Sequence, residues 1–478
     1  MNDVFSLQGA VTLTPVQPPQ KLRAKIARCV KVGTKDVYSH GDIDRTMLVY
    51  HPKAAVIKDW LPYYEYYALK TKSKHVIHPM AMGRYLKENA LAPVSGEIVE
   101  AVLSISRKLP NGGLAWYYPP HYNVSRMLGG KLKYSSISQG TIIAGLTEMA
   151  KQGVVDQSLP RRAFDALLWP FEKGGVNLAN KAVLEMPSFA GPPEIILNGW
   201  IDAIIHINDY ATWSNDDDAR EFAKDNVLFL SQIIQNFDCG EMGISRYSDL
   251  CPYRTKIYLA SPDDVPSLQI LYRPKFDGLP TIKVIPQFTQ DPDSFSAYDN
   301  QIFRQNGKIA HVWLSMSQLY ETFVCSSSKQ MRLTVSIGEL NRTSTGPGLG
   351  GELKEYESTE FDGGRYVHLP HDDGFVCGYP TNFSKGGTHN YYHAYHVVGV
   401  LLLAFADLVG PEQKLKLIRW ALKWRDDYDR IIREEELSFR PLQDMLSDIN
   451  ANKSSIEFPD YQNLELLARQ SIAAASPA

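Results

Sequence analysis

Apolar residues recur with the period of an amphipathic helix in several stretches of the chain before residue 255. Two clear stretches are residues 135–150 and 196–210, whose periodic apolar positions are Ile137, Ile142, Ile143, Leu146, Met149, Ile196, Trp200, Ile204 and Ile207. Spacings of three and four put such residues on one face of a helix. A further helix is predicted to begin at the acidic triplet 216–218, because carboxylates suit the N-terminus of a helix.

The helical period is lost between residues 261 and 385 and then returns. Runs at 281–285, 309–314 and 332–337 are typical of β-strands. Helical spacing resumes at 395–409 and stops at Gly410 and Pro411. Successive helices joined by short loops predict stacked helical hairpins, which can close into an α/α barrel.

The pattern therefore predicts an α+β multidomain chain in four parts. Residues 76–255 and 386–430 form an α/α-barrel catalytic domain, and residues 256–385 form a β-rich, β-sandwich-like insert that interrupts it. Residues 1–75 form a small, partly β N-terminal cap, and residues 431–478 form a C-terminal arm.

Composition and charge exclude several classes of protein. The formal net charge of −3 does not provide the single-sign field of a nucleic-acid binder. The longest apolar run, residues 397–406, is about half of the roughly 20 residues that cross a bilayer. The N-terminus shows no signal-peptide pattern, and the five cysteines form no CxxC pair, so we expect a cytoplasmic location. A homodimer is compatible with these features.

The chain has no P-loop, no GxGxxG, no GxSxG and no HExxH motif, which leaves little room for nucleotide-driven or serine-hydrolase chemistry. It is instead rich in aromatic residues, with 26 Tyr and 8 Trp. Such side chains suit flat, hydroxylated ligands, although Tyr is also a common half-buried core residue. Four clusters of Tyr, His, Arg and Glu remain as candidate sites.

Two of these clusters precede helices. The loop WYYPPHYN at 116–123 contains Trp116 and His121, and the segment 134–140 contains Tyr134 and Gln139. Together they predict either a wall on which a sugar stacks or a packed loop with capping serines. The second cluster joins Glu185 to the segment 195–200 with Asn198, and its acid is either catalytic or merely solvated.

The other two clusters are richer in titratable groups. Tyr247 lies beside Arg246 and near Arg254, and a nearby cation favours the phenolate form of a tyrosine; the alternative is a surface turn with an ion pair. His393 and His396, next to Tyr392, share a helix face at i and i+3 and could hold a metal. No Asp or Glu flanks them, so no metal ligand set is assigned, although a divalent ion is not excluded.

Five segments together resemble the D-glucuronyl carbon-5 epimerases, also called heparosan epimerases. HPMAMGRY at 78–85 resembles an early helix of that family, and YSSISQG at 134–140 resembles its YSAMAQG segment. Glu185 with LNG at 197–199, the cluster around Tyr247, and YHAYH at 392–396 resemble its EYP and LNG, YDLR and YHTTH elements in the same order. The resemblance covers 78–255 and 388–430, and Met186 departs from it by standing where the family has Tyr.

The resemblance implies an isomerase that inverts carbon 5 of uronate residues in a polysaccharide, without a redox cofactor. Tyr392, Tyr247 and Glu185 would be catalytic. The residues expected to bind substrate are Arg254, Arg246, His393, His396, Trp116, His121, Tyr134, Gln139 and Asn198. Two alternatives stay open, a uronate polysaccharide lyase, which forms the same carbanion, and an inactive carbohydrate-binding protein.

Overall fold

The computed structural model describes residues 11–12, 47–48, 64–66, 74–77, 79–117, 134–185, 191–238, 245–285, 287–289, 301–305, 309–337, 352–361, 363–369, 391–434, 442 and 461–475. It contains both helices and mostly antiparallel sheets, in agreement with the predicted α+β class. The helices are α1 (Pro79–Glu88), α2 (Ser95–Ser104), α3 (Ser136–Lys151), α4 (Ser158–Leu167), α5 (Leu197–Ser214), α6 (Asp217–Ile233), α7 (Tyr391–Ala404), α8 (Pro411–Glu434) and α9 (Tyr461–Ala475).

The helices pack against one another in a series of pairs. Helix α3 contacts α1 on one side and α5 on the other, and α7 contacts α5. Helices α4, α6 and α8 pack behind α3, α5 and α7 respectively. Helices α1 and α3 approach so closely that a Cβ atom on Gly83 would lie 2.3 Å from the Thr141 carbonyl carbon. Only glycine allows this backbone contact.

The predicted helix starts and strands are largely confirmed. Asp216 caps α6 by accepting a hydrogen bond from the Ala219 N–H at 3.1 Å. The predicted helices at 135–150 and 196–210 correspond to α3 and α5. The predicted strands at 281–285, 309–314 and 332–337 correspond to three strands described next.

Two six-stranded sheets are formed by strands that follow α6, together with one strand near the N-terminus. The strands are β9 (Leu250–Leu259), β10 (Gln269–Pro274), β11 (Ile282–Val284), β12 (Gln287–Thr289), β13 (Gln301–Gln305), β14 (Ile309–Ser317), β15 (Tyr320–Ser326), β16 (Met331–Ile337), β17 (Glu352–Glu357), β18 (Thr359–Phe361) and β19 (Gly364–Leu369). One sheet has the order β12-β13-β14-β9-β16-β17. The other has the order β1-β11-β10-β15-β19-β18, where β1 is Val11–Thr12. Strands β14 and β16 contact β15 and β19 of the other sheet.

Short strands complete the described part. They are β2 (Met47–Leu48), β3 (Tyr64–Tyr66), β4 (Lys74–Ile77), β5 (Arg107–Lys108), β6 (Leu114–Ala115), β7 (Asn177–Leu178) and β8 (Ala182–Val183). Strands β2, β4 and β3 form one small sheet in the predicted N-terminal cap. No helix in the described ranges is long and apolar enough to cross a membrane.

After both sheets the chain returns to the helices that precede them. Helix α7 packs on α5, and α8 packs on both α7 and α6. Trp200 on α5 and Trp424 on α8 are buried in the same continuous core. The last helix, α9, packs on α8, where Arg425 pairs with Glu465 at 3.0 Å. Residues 391–434 therefore extend this series of packed helices, although the predicted domain boundaries themselves stay a prediction.

Candidate active site

The N-terminus of helix α5 is the point at which the predicted clusters converge. The Leu197 N–H donates to the Tyr247 carbonyl at 3.0 Å, and the Asp249 N–H donates to the Ile195 carbonyl at 3.2 Å. On the other side, the Ser136 N–H at the start of α3 donates to the Leu184 carbonyl at 3.2 Å. The residue after Leu184 is Glu185. The first turns of α3 and α5 thus meet the segments that carry Glu185 and Tyr247.

Tyr247 and Tyr392 are in direct contact although they lie 145 positions apart. Their ring centroids are 4.9 Å apart with an interplanar angle of 61°, an edge-to-face pair. Both side chains are partly exposed. The two tyrosines that the sequence assigns to one cleft are therefore neighbours in the fold.

Ser245 joins the two segments that carry this tyrosine pair. Its backbone N–H donates to His393 Nδ1 at 3.0 Å, and its hydroxyl lies 3.0 Å from the same nitrogen and 2.8 Å from His396 Nδ1. Ser245 is two residues before Tyr247, and His393 immediately follows Tyr392. These buried contacts fix the position of one tyrosine relative to the other.

The contacts of His393 define its protonation. Because Nδ1 accepts a backbone N–H, the proton is assigned to Nε2, which lies 3.2 Å from the Trp424 carbonyl and donates to it. Burial lowers the pKa of His393 to about 4 and holds the pKa of His396 well below its usual value. Both ring nitrogens of His393 are engaged, and the described residues contain no group of three or more His, Cys, Asp or Glu placed to hold a metal ion.

Glu185 lies against the first turn of α5. A Cβ atom on Gly199 would lie 2.1 Å from Glu185 Oε2, so glycine is needed at that position for the carboxyl group to reach the helix. Glu185 keeps some exposure overall, but its Oε2 atom is buried. Burial, with smaller effects of the carboxyl groups of Glu194 and Asp202, raises the pKa of Glu185 to about 8, and the Gly199 amide opposes this rise.

Two more acids lie beside the tyrosine segment. The Ser248 hydroxyl donates to Glu194 Oε1 at 2.6 Å, and burial raises the pKa of Glu194 to about 7. Asp249 accepts from the Ile195 N–H at 2.8 Å and from the Ser317 hydroxyl at 2.5 Å. Burial raises its pKa to about 6 in spite of these donors. Sequence reasoning did not single out Glu194, since an isolated acid before an apolar run carries no recognisable signal.

Several buried polar atoms around these two helix starts have no hydrogen-bond partner among the described residues. They are Ser135 Oγ, Ser136 Oγ, Glu185 Oε2 and Asn198 Oδ1. Buried polar atoms in proteins are almost always hydrogen-bonded, and a cluster of exceptions calls for a ligand or ordered water. The cluster offers hydroxyl, amide and carboxyl groups, which suit a hydroxylated ligand.

Part of the chain that carries this site matches a known family. Residues 114–263 match the family model described as the D-glucuronyl C5-epimerase C-terminus. This region belongs to that family. The resemblance read from the sequence is thereby confirmed for the part that contains Glu185, Asn198 and Tyr247. The match supports uronic acid C5 epimerase activity in general terms for this part of the chain. No curated protein matches the chain.

The matched epimerase region ends before Tyr392, His393 and His396. These residues reach the site through the fold, because α7 packs on α5 and Ser245 bonds both histidines. The candidate site is therefore assembled from two separate parts of the sequence.

Three residues predicted to bind substrate lie in the core of the epimerase region. Trp116 Nε1 donates to the Val102 carbonyl at 2.8 Å, and the Tyr134 hydroxyl donates to the Ala166 carbonyl at 2.8 Å. Gln139 Nε2 donates to the carbonyls of Leu114 and Ala163. These contacts hold strands and helices together, whereas a contact of these residues with substrate stays a prediction. His121 lies outside the described residues.

The two candidate arginines differ in their settings. Arg246 lies next to Tyr247, and its Nε donates to the Asp238 carbonyl at 2.8 Å. Arg254 lies within strand β9 opposite Trp313, and its side chain lies outside the described ones. The sequence suggested a turn as far as Arg254, but the turn ends at Asp249, because residues from Leu250 onward pair continuously with β14.

Proposed function

We propose that the protein inverts carbon 5 of D-glucuronate residues within a polysaccharide, giving L-iduronate-type residues. The observation that carries this proposal is the contact between Tyr247 and Tyr392 beside the first turn of α5, where Glu185 also lies. Inversion requires one group that removes the proton from carbon 5 and another that returns a proton to the opposite face. Two tyrosines and a carboxyl group supply the necessary acids and bases.

In this proposal Glu185 is the proton donor. A pKa of about 8 leaves its carboxyl group mostly protonated at neutral pH. The tyrosine pair then serves the other face of the sugar ring and takes the proton from carbon 5. A tyrosine needs a neighbouring cation for this task, because the phenolate is otherwise scarce below about pH 10. Arg246, adjacent to Tyr247 in sequence, is one candidate for that cation.

The uronate carboxylate must be held where charge develops during proton removal. Deprotonation of carbon 5 spreads a second negative charge onto the carboxylate oxygens, which strong donors and cations stabilise. The positive end of the α5 dipole and the amide of Asn198 suit this role. Arg254 and Arg246 are the proposed charged groups. Proton exchange of this kind needs no redox cofactor.

We also propose how the helices and the two large sheets are arranged. Helices α1, α3, α5 and α7 would form the inner wall of an α/α barrel, which the contacts between neighbours in that series support. The two six-stranded sheets would pack as a β-sandwich, inserted at 256–385 between the parts 76–255 and 386–430 of the catalytic domain. A cytoplasmic location and a homodimer rest on sequence reasoning alone.

Incubation with an unsulfated glucuronate polymer in heavy water tests the function. We expect deuterium at carbon 5 in the proton NMR spectrum without a decrease in chain length. Unsaturated chain ends would instead identify a lyase, and neither change would identify a binding protein.

Matched tyrosine variants test the assigned roles. Tyr392→Phe and Tyr247→Phe should fold normally and lower exchange about 10² to 10⁴-fold, the usual span for one acid/base group. Tyr258→Phe, on strand β9, is the control and should retain wild-type exchange. Near wild-type deuterium incorporation in Tyr392→Phe would remove Tyr392 from the mechanism.

A further inference from the structure

Three positions on helix α5 form a row that begins at the carboxyl group of Glu185. Gly199, Asp202 and His206 are spaced at i, i+3 and i+7, so they follow one another along one face of the helix. Gly199 is in van der Waals contact with the Glu185 carboxyl group. Asp202 therefore lies one turn from that carboxyl group, and His206 lies one turn further on.

The middle member of the row, Asp202, is held between two buried partners. The Tyr395 hydroxyl donates to Asp202 Oδ1 at 2.6 Å, which turns Oδ2 towards His206. The distance from Asp202 Oδ2 to His206 Nε2 is 3.7 Å. A small rotation of the imidazole or one bridging water is enough to close this gap to a hydrogen bond.

His206 is the unusual member of the row. It is only 3% exposed, yet neither ring nitrogen makes a hydrogen bond within the described residues. Burying a polar group without a partner is destabilising, so such a histidine is seldom kept for packing alone.

The far side of His206 faces a cavity between α1, α3, α5 and α7. The cavity has a volume of about 330 Å³, and its wall includes Lys87, Thr147, Glu148, Lys151 and Asp209. Glu148 and Lys151 have side chains 27% and 42% exposed, so this wall is in contact with solvent. The row on α5 thus connects a solvent-accessible cavity with the buried side of Glu185.

We propose that Asp202 and His206 form a proton relay that reprotonates Glu185 from this cavity. The inference rests on the proposed function, in which Glu185 gives its proton to carbon 5 in each turnover. Asp202 passes a proton to the Glu185 carboxylate, protonated His206 passes its Nε2 proton to Asp202, and His206 takes a proton from water or buffer in the cavity. The proton removed from carbon 5 leaves through the tyrosines, so the charge of the protein is restored.

A relay is useful here because a bound polymer covers the face of the site from which Glu185 acts. Without a second route, Glu185 could regain a proton only after the polymer dissociates. The relay lets the enzyme reset while the chain is bound.

Chemical rescue tests the relay. We expect His206→Gln to lower kcat for deuterium incorporation at least tenfold in dilute buffer with little change in KM, because glutamine cannot carry the proton. Imidazole at tens of millimolar, which fits the cavity, should restore most of the loss. Thr147→Val removes a hydroxyl from the same wall and should leave kcat unchanged in both buffers.

Asp202→Asn provides a second, independent test. Its amide oxygen can still accept the Tyr395 hydroxyl, but it cannot pass a proton to Glu185. We expect its kcat to fall without rescue by imidazole, because imidazole replaces His206 and not Asp202. If His206→Gln does not fold, the kcat of Asp202→Asn with and without imidazole still tests the relay.

The outcomes distinguish the relay from the function on which it rests. Absence of deuterium at carbon 5 with the wild-type protein would overturn both. Wild-type exchange together with an unchanged kcat in His206→Gln and Asp202→Asn would overturn the relay and leave the epimerase function standing. Equal imidazole rescue of both variants would also overturn it.

Discussion

Replacement of Gly199 by alanine perturbs the point at which Glu185 meets helix α5. The added Cβ would lie 2.1 Å from Glu185 Oε2 and 2.7 Å from Glu185 Cβ and Cδ. Real Cβ atoms do not approach other atoms so closely, so the Glu185 side chain must move away. Gly199 has ordinary helical backbone angles, and alanine there adds no backbone strain. On the proposed mechanism the variant should therefore lose epimerisation, because the proposed proton donor is displaced.

The magnitude follows from two opposing effects. Alanine stabilises a helix by up to about 1 kcal/mol relative to glycine. Overpacking of a well-filled site costs about 1 to 3 kcal/mol. In the wild-type background we therefore expect Gly199→Ala to lower the free energy of unfolding by about 0 to 2 kcal/mol. In a Glu185→Gly background, where all three clashing atoms are gone, the same change should stabilise by up to about 1 kcal/mol.

Urea unfolding of the four proteins, followed by the fluorescence of the buried tryptophans, measures this cycle. The coupling between the two positions should be about 1 to 3 kcal/mol, which is typical of residues in contact. An equal effect of Gly199→Ala in both backgrounds would mean that Glu185 does not lie against Gly199. The position of Glu185 at the first turn of α5 would then be wrong.

Three further outcomes are expected. The pKa of Glu185 is about 8 in the folded protein and near 4.5 in the unfolded protein, so the folded state binds more protons between these values. The stability of the protein should therefore fall as pH rises from 4.5 to 8. Glu185→Gln should weaken this fall, as measured by urea titrations at several pH values. Ser245→Ala should lower the free energy of unfolding by about 1 to 3 kcal/mol, because two buried imidazoles lose a hydrogen-bond partner. Ser231→Ala is the control: its hydroxyl bonds a carbonyl of its own helix, so its effect in the same assay should be smaller. Arg254→Ala should lower kcat on a uronate polymer, and Arg254→Lys should be poor as well because it loses the planar fork; unchanged kcat and KM would transfer the carboxylate-binding role to Arg246.

The sequence predicted regular elements well where a single period governs them. The predicted bounds of helix α3 differ from the observed ones by one residue at each end, although the helix is buried on most of its surface and not on one face alone. The start of the β-rich part was less well predicted, because β9 begins at Leu250 and the insert was expected from residue 256. Residues 250–255 show no clear alternation of apolar and polar side chains, and their pairing with β14 makes them a strand.

The candidate site was predictable only in part. The tyrosine pair followed from a resemblance, since no local pattern links residues 145 positions apart. The burial of Trp116 and Tyr134 could not be predicted, because the sequence pattern of an aromatic residue is the same in a sugar-binding site and in a core. Asp202 and His206 lie in a helix whose buried positions are mostly apolar, and only the fold reveals that they face each other and a cavity.

The bond between Ser245 and His393 also has a consequence for the order of events during synthesis. The two residues are 148 positions apart, so at 5 to 20 residues per second roughly 7 to 30 s separate their appearance at the ribosome. Throughout that interval Tyr247 exists without Tyr392, and the two sheets are made before the second half of the tyrosine pair. On the proposed mechanism, catalytic activity is therefore among the last properties that the nascent chain acquires, because it requires two distant segments to pack together.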